Sequence, residues 1–295
     1  ADGTEEGDEF LVNSHTSSYQ DSSSVAHLGA GKFVVTWQSD GQDGSGVGVY
    51  GQRFNGNATS NHLLVHSSGY KCSYGSLQTD VGNVGAGGCR GYCLTGNNGV
   101  YDSYRWSWVE NNKCNCVNTC TITAESTASD LYEYTAKDGT EFLVNTETSG
   151  DQKDPSVAAL DSGKFVVAWD SLNQDGSDYG VYAQRYKADG TKEGDEFLVN
   201  THTTNNQNSP SVTGLGPDSF VIVWQSNNQV SGSSDRDVYA KVYIGAAVVA
   251  DEYLVNAVTT NEQHEPSVAG LPNGKFVVTW QSANQDGSGN GVYSQ

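Results

Sequence analysis

The sequence predicts an all-β fold built from a repeated unit of four short strands. The chain has 295 residues with 35 Gly and 16 Tyr, and only 17% of its residues are charged. No stretch shows the 3.6-residue pattern of an amphipathic helix. Short runs rich in Val, Tyr and Phe alternate with Gly, Asn and Asp, as strands alternate with turns. These runs recur at a nearly constant spacing, which is typical of repeat architectures.

Four sequence elements recur in the same order. The first is an "EFLVN" strand, at 9–13, 141–145 and 196–200, with "EYLVN" at 252–256. The second is a short run of the type "PSVAAL", at 155–160, 210–215 and 266–271, with "SSVAHL" at 23–28. The third contains a Trp, as in "GKFVVTWQS" at 31–39 and 274–282, and the fourth is "GVYAQRY" at 180–186 and its relatives. Each unit therefore offers four strands.

The spacing of the Trp residues indicates the number of units. They lie at 37, 169, 224 and 280, so the last two steps are 55 and 56 residues, whereas the first is 132. The long step leaves room for a degenerate unit in which residues 66–128 form an insertion and 129–145 resume the pattern. We therefore expect one domain over 1–295, a five-bladed β-propeller-like repeat with an insertion in the second unit. An elongated β-solenoid is the alternative.

The order of the strands suggests how the domain closes. The pattern starts on an "EFLVN" strand at 9–13 and stops on a third strand at 291–295. We expect strand 9–13 to complete the last unit, which would hide two exposed sheet edges. The same two segments are equally suited to completing each other between copies of the chain, head to tail. The sequence does not choose between these two modes of closure.

The insertion carries the cysteines, and an even number within 49 residues predicts a local disulfide framework. A zinc site is the competing interpretation, but the spacings lack the usual C-x2-C pairs. Asn57 begins the sequence Asn57-Ala58-Thr59, an acceptor for N-glycosylation. The cysteines are Cys72, Cys89, Cys93, Cys114, Cys116 and Cys120.

Asp43, Asp175 and Asp286 are the candidate calcium ligands, one in each of three separate loops. Each lies in an Asp-Gly-Ser loop after a Trp strand, and such loops can wrap Ca²⁺ with carboxylate and carbonyl oxygens. The alternative is a hairpin turn in which the Asp side chain bonds its own backbone. No other cofactor is indicated.

Aromatic side chains suggest a glycan-binding surface on the insertion. Tyr104, Trp106 and Trp108 lie outside the repeat pattern and alternate with polar residues. The Trp residues of the repeats differ, because their strands are apolar on both faces and are expected to be buried.

Neither charge nor motif points to catalysis. The net charge of −20 argues against nucleic acid as a partner. The sequence contains no run of 18 apolar residues, so it does not predict membrane insertion. The acids recur as part of the repeat, and the six His are scattered. We therefore expect no enzymatic activity.

The whole consensus resembles tandem repeats of very large secreted bacterial surface proteins with adhesin-like modules. The resemblance covers residues 1–56 and 129–295, and it implies an extracellular or cell-surface location. Together these features favour a structural protein that assembles with copies of itself, head to tail, into a fibre or surface layer. The alternative is a lectin-like propeller that binds glycans through residues 66–128.

Overall fold

The computed structural model describes residues 9–56, 64–65, 77–80, 106–110, 113–117, 131–132, 136–230 and 235–295. The chain divides into two compact units, one comprising Leu11–Phe54 and Lys137–Gln295 and the other comprising Ala1–Phe10 and Asn55–Ala136. The described residues of both units are strands and turns, with two three-residue 3₁₀ turns. The fold is all-β and β-propeller-like, as the sequence predicts.

The larger unit begins with a sheet that the insertion interrupts. Its first three strands are β1 (Gln20–Gly29), β2 (Lys32–Asp40) and β3 (Val47–Asn55). Between β3 and the next strand of this sheet the chain contains β4 (Leu64–Val65), β5 (Leu77–Asp80), β6 (Trp106–Glu110), β7 (Lys113–Val117), β8 (Leu131–Tyr132) and β9 (Ala136–Lys137), of which β9 pairs with β3. The fourth strand of the first sheet is β10 (Phe142–Leu143), which pairs with β3.

This pairing differs from the expectation that residues 129–145 belong to a unit of their own. Because Val49 N–H reaches the Asn145 Oδ1 and Val144 N–H reaches the Val49 oxygen, both at 2.8 Å, residues 142–145 complete the first sheet. Within the insertion, β4 pairs with β8, and β5, β7 and β6 form a small antiparallel sheet. The fifth unit predicted there lies largely outside the described residues.

Three further sheets follow in the chain, each an antiparallel meander. The second sheet contains β11 (Gln152–Ala159), β12 (Phe165–Leu172), β13 (Tyr179–Tyr186) and β14 (Phe197–Leu198). The third contains β15 (Gln207–Gly216), β16 (Ser219–Asn227), β17 (Arg236–Ile244) and β18 (Ala247–Leu254). The fourth contains β19 (Gln263–Leu271), β20 (Lys275–Ala283) and β21 (Asn290–Ser294).

The sheets are held together by apolar packing and by a ladder of serine hydrogen bonds. Trp169 and Trp224 are completely buried, and Trp37 and Trp280 are nearly so, which confirms the prediction that the repeat Trp residues are core. Adjacent sheets share apolar clusters, and their first strands pack in chain order.

Between these strands, the N–H groups of Val157, Val212 and Val268 donate to the Oγ of Ser24, Ser156 and Ser211 at 3.1, 3.1 and 3.2 Å.

Candidate active site

In each of the four sheets of the larger unit, a β-bulge lies near the start of the first strand. In the second sheet the ladder between β11 and β12 skips from Lys153 to Ser156, and Asp154 has a φ of 52°. The Asp154 N–H donates to Gln38 Oε1 of the first sheet at 2.9 Å. The bulge thereby directs a backbone N–H to the preceding sheet. The equivalent residues Ser22, Ser209 and Glu265 have φ values of 49°, 56° and 52°.

In the first three sheets the residue after the Trp accepts this N–H. Glu265 N–H donates to Gln225 Oε1 at 2.9 Å, and Ser209 N–H donates to Asp170 Oδ2 at 3.3 Å. Three of the four sheets have Gln at this position, and the second sheet has Asp. The four residues are Gln38, Asp170, Gln225 and Gln281.

At this position the second sheet has the carboxyl group of Asp170, where the other three sheets have the amide group of a Gln. The Gln225 amide both accepts from Glu265 and donates its Nε2–H to Asn208 Oδ1 at 2.9 Å, whereas an ionised carboxylate only accepts. Asp170 is fully buried. Burial raises its pKa well above the usual range, and the negative charge of Asp154 raises the pKa further. The Asp170 Oδ1 is buried and has no hydrogen-bond partner among the described residues, so the raised pKa favours the protonated form of this carboxyl group.

Asp154 lies between this buried acid and solvent. Its side chain is half-buried, and its Oδ1 accepts from Ser22 Oγ at 3.5 Å. Lys153 lies opposite Asp170 in the ladder and holds its Nζ 4.3 Å from the Tyr179 ring centroid, a cation–π contact. The site therefore combines two carboxyl groups and one ammonium group.

The pair can supply a proton at neutral pH. General acids in enzymes are carboxyl groups whose pKa is raised by burial or by a like charge, and both causes act on Asp170. Asp170 is the fully buried member of the pair, and Asp154 is the half-buried member.

The candidate calcium residues close turns. The Oδ1 atoms of the three Asp residues accept from the backbone N–H two residues later, at 3.0, 3.1 and 3.3 Å. This is the Asx turn that was the alternative interpretation. Among the residues that the structure describes, no group of three or more His, Cys, Asp or Glu is placed to hold a metal ion. A calcium site at Asp43, Asp175 and Asp286 therefore stays a prediction.

The remaining predicted sites fall on the insertion. The backbone at Trp106 and Trp108 lies in β6, and that at Cys114 and Cys116 lies in β7, but their side chains are outside what the structure describes. The other residues predicted to form disulfides, to carry a glycan or to bind glycans lie outside the described residues altogether: Cys72, Cys89, Cys93, Cys120, Asn57 and Tyr104.

Sequence reasoning missed the pair of Asp154 and Asp170. Both acids belong to repeated segments and resemble ordinary surface residues. One signal was available, because "WDS" at 169–171 departs from "WQS" in the other three Trp strands. A departure of this kind marks a position where the chemistry changes while the backbone stays the same.

No protein-family model matches the chain, and no curated protein matches it either. Solved structures do. They include an endo-arabinase from Bacteroides thetaiotaomicron, 12% identical, with 90% of this chain and 70% of that one covered and a TM-score of 0.40. A thermostable family-43 glycoside hydrolase is 9% identical, with 90% and 67% covered and a TM-score of 0.39. A Hadza microbial sialidase is 9% identical, with 94% and 44% covered and a TM-score of 0.40.

These matches contradict two predictions made from the sequence. The three structures named above are an endo-arabinase, a glycoside hydrolase and a sialidase, which contradicts the interpretation of the chain as a structural protein of a fibre or surface layer and the expectation of no enzymatic activity. The repeat pattern and the acidic composition that motivated these predictions describe the architecture and not the function. At such low identity the likeness concerns the fold alone, and any activity has to be argued from the residues of the site.

Proposed function

We propose that the chain is an extracellular protein that acts on neutral glycans, with Asp154 and Asp170 as the acidic pair of its site. The observation that carries this proposal is the position of the fully buried Asp170 near the half-buried Asp154, where burial and the charge of Asp154 raise the pKa of Asp170. Strongly perturbed carboxyl groups of this kind cluster at functional sites. The other three sheets have an amide at the position of Asp170 and lack the pair.

The surroundings of the pair favour an uncharged polar substrate. The net charge of −20 repels polyanions. Tyr19 directly precedes β1 and is 78% exposed. It lies three residues before Ser22, which donates a hydrogen bond to Asp154, and this corresponds to ~10 Å along the chain. The Tyr179 ring lies beneath Lys153. Tyr rings offer an apolar face and a polar edge, which suits the faces and hydroxyl groups of a sugar.

The chemistry follows from the raised pKa of Asp170. Cleavage of a glycosidic bond needs a proton on the leaving oxygen. In the proposed step the proton of Asp170 passes first to Asp154 and then to that oxygen, and the Lys153 ammonium group offsets the negative charge left on the pair.

The test is a hydrolysis screen on neutral polysaccharides and aryl glycosides with purified chain. Arabinan and xylan come first, since they match the names of the solved structures. We expect Asp154→Asn to lower kcat at least about 100-fold, the usual contribution of a general acid. Glu265→Gln is the matched control, because Glu265 occupies the same bulge position in the fourth sheet, and it should leave kcat unchanged.

Asp170 is a positioning residue, and its test is the pH profile of kcat. Asp170→Asn removes the carboxyl group whose pKa is raised, so the optimum should move to lower pH. A blank screen with the unmodified chain, or an Asp154→Asn variant as active as the parent, would overturn the proposal.

A further inference from the structure

Three buried oxygen atoms of the first sheet have no hydrogen-bond partner among the described residues. They are Ser39 Oγ, Gln42 Oε1 and Asp43 Oδ2. Ser39 is completely buried near the end of β2, and the other two residues lie in the loop that follows this strand. Buried polar atoms in proteins are normally hydrogen-bonded or bound to an ion, so these three oxygens are candidate ligands.

The fourth sheet shows that the Ser and Gln side chains face the same space. Ser282 and Gln285 occupy the equivalent positions there, and Ser282 Oγ donates to Gln285 Oε1 at 2.6 Å. In the first sheet, Gln42 Nε2 instead donates to Glu141 Oε1 at 2.6 Å. Because a carboxylate only accepts hydrogen bonds, this contact fixes the orientation of the amide. The Gln42 Oε1 is therefore directed away from Glu141 and is available to a ligand.

The strand register brings the carboxylate to the same face as the Ser. In the second sheet Ser171 lies opposite Gly180, and Gly48 is the equivalent Gly of the first sheet. A Cβ at Gly48 would lie 2.7 Å from Asp43 Oδ2. Opposite residues of antiparallel strands share one face, with their Cβ atoms about 5 Å apart. Asp43 Oδ2 therefore lies on the face of the sheet that carries Ser39.

The charges around these oxygens are negative. Burial and the negative charges of Asp43 and Glu141 raise the pKa of Tyr50 in β3 to about 12. Among the described residues, neither acid forms an ion pair with a Lys or Arg. Buried charges in proteins are normally paired or bound to a metal ion. The site is therefore suited to a cation.

The third sheet repeats the arrangement with an acid from a different position. Ser226 Oγ, Gln229 Oε1 and Asp237 Oδ2 are likewise buried and without a partner in the part of the chain that the structure describes. Ser226 lies directly opposite Asp237 in the ladder, and Asp237 is completely buried. The second sheet differs, because Asp175 Oδ2 accepts from Asn200 Nδ2 at 3.4 Å. The full set of three oxygens thus occurs in the first and third of the four sheets.

We propose that each of these two sets of oxygens binds one Ca²⁺ ion. Ca²⁺ takes oxygen ligands, and each set offers one carboxylate, one amide carbonyl and one hydroxyl oxygen. Amide and hydroxyl oxygens replace further acids, so such a site needs no group of three acidic residues. Of the loop acids predicted from the sequence, only Asp43 takes part, and Asp237 is a new ligand. Because three protein oxygens are fewer than the about six to eight ligands of Ca²⁺, water completes the shell and the dissociation constant is ~1 mM.

The experiment is differential scanning calorimetry of the purified chain in CaCl2, compared with NaCl of equal ionic strength. A ligand that binds only the folded chain stabilises it, so at about ten times the dissociation constant we expect Tm to rise by about 4 °C. Asp43→Asn and Asp237→Asn each remove one charge and keep an Oδ1 acceptor for the contacts made now. The double variant should lose most of the rise.

Asp286→Asn is the matched control for the double variant. Asp286 closes the same turn in the fourth sheet, where Ser282 and Gln285 bond each other. The rise of Tm in CaCl2 should therefore equal that of the parent chain. A parent chain with no rise, or a double variant with the full rise, would overturn the proposal.

A crystal structure grown in CaCl2 separates the ion from a buried water molecule. Ca²⁺ lies about 2.3–2.6 Å from its oxygen ligands, whereas a water molecule lies about 2.8 Å from its hydrogen-bond partners. We expect the shorter distances to Ser39 Oγ, Gln42 Oε1 and Asp43 Oδ2. A water molecule bound at both sets of oxygens would show that the proposal is wrong. The Asp154 pair takes no part in either site, so this test is independent of the hydrolysis screen.

Discussion

The second and third sheets have the same four strands and the same register, yet they place their acids differently. In the second sheet Asp175 reaches from the loop, and its Oδ2 accepts from Asn200 Nδ2 at 3.4 Å. In the third sheet that loop lacks the Asp, and Asp237 of the strand bonds the equivalent Asn256 at 2.7 Å. Both sheets therefore place a carboxylate against the equivalent Asn side chain, although the Asp that supplies it stands at a different position in the sequence.

Glycine makes this exchange necessary. Gly180 stands where the third sheet has Asp237, and a Cβ at Gly180 would lie 2.6 Å from Asp175 Oδ2. Gly48 and Gly291 are crowded in the same way by Asp43 and Asp286. A loop Asp thus requires a strand Gly, and a strand Asp requires the loop Asp to be absent. The position after the Trp differs from this case. There the second sheet has Asp170 and the third has Gln225, so one sheet has an acid where the other has a neutral amide.

The largest expected effect comes from forcing both carboxylates into the second sheet. Gly180→Asp should lower the free energy of unfolding by about 3 kcal/mol, since overpacking is joined by a second buried charge. Urea denaturation followed by Trp fluorescence measures the loss. The double variant with Asp175→Ser reproduces the arrangement of the third sheet and should recover most of it. A double variant as unstable as the single one would show that the two sheets are not interchangeable.

The second effect concerns pH. Since the folded chain holds the proton of Asp170 and the unfolded chain releases it above pH ~4, the unfolded state binds fewer protons. The free energy of unfolding therefore falls as pH rises from about 4 toward the raised pKa of Asp170. Asp170→Asn keeps one acceptor and one donor and should flatten this fall, with a higher Tm than the parent at pH 7.

The third sheet supplies the reciprocal control for this pH effect. Gln225→Glu introduces a buried carboxyl group at the equivalent position and should create a new decline of Tm with rising pH. Differential scanning calorimetry between pH 4 and pH 8 measures both variants. Parallel pH profiles for the parent and Asp170→Asn would show that Asp170 is ionised in the folded chain.

The smallest effect tests the serine ladder between the sheets. Ser156→Ala removes the acceptor of Val212 N–H and should cost about 1 kcal/mol of stability, the usual net value of one hydrogen bond. Ser267→Ala is the matched control, because Ser267 Oγ accepts no such bond within the described residues and its loss should be within about 0.5 kcal/mol. Equal losses in the two variants would mean that the ladder contributes nothing.

The repeat architecture was accessible from the sequence because its causes are local. Alternating Val, Phe and Trp predict strands buried on both faces, and the Asp-Gly-Ser loops predict turns, so the four strands per unit and the buried Trp residues were predictable. The candidate site was not. Asp170 becomes an acid with a raised pKa only because its burial and the approach of Asp154 coincide, and neither is visible in the order of residues.

By itself, the sequence determined the strand period, the turns between strands and the core position of each Trp, since these depend on side-chain alternation and on residues close in the chain. Only the tertiary structure decided that residues 142–145 cross the insertion to complete the first sheet. It also decided that Asp170 is buried near Asp154, whose charge adds to the effect of burial in raising its pKa. These outcomes depend on which distant segments meet and exclude water, because solvation and neighbouring charges, rather than residue type, determine the state of a carboxyl group.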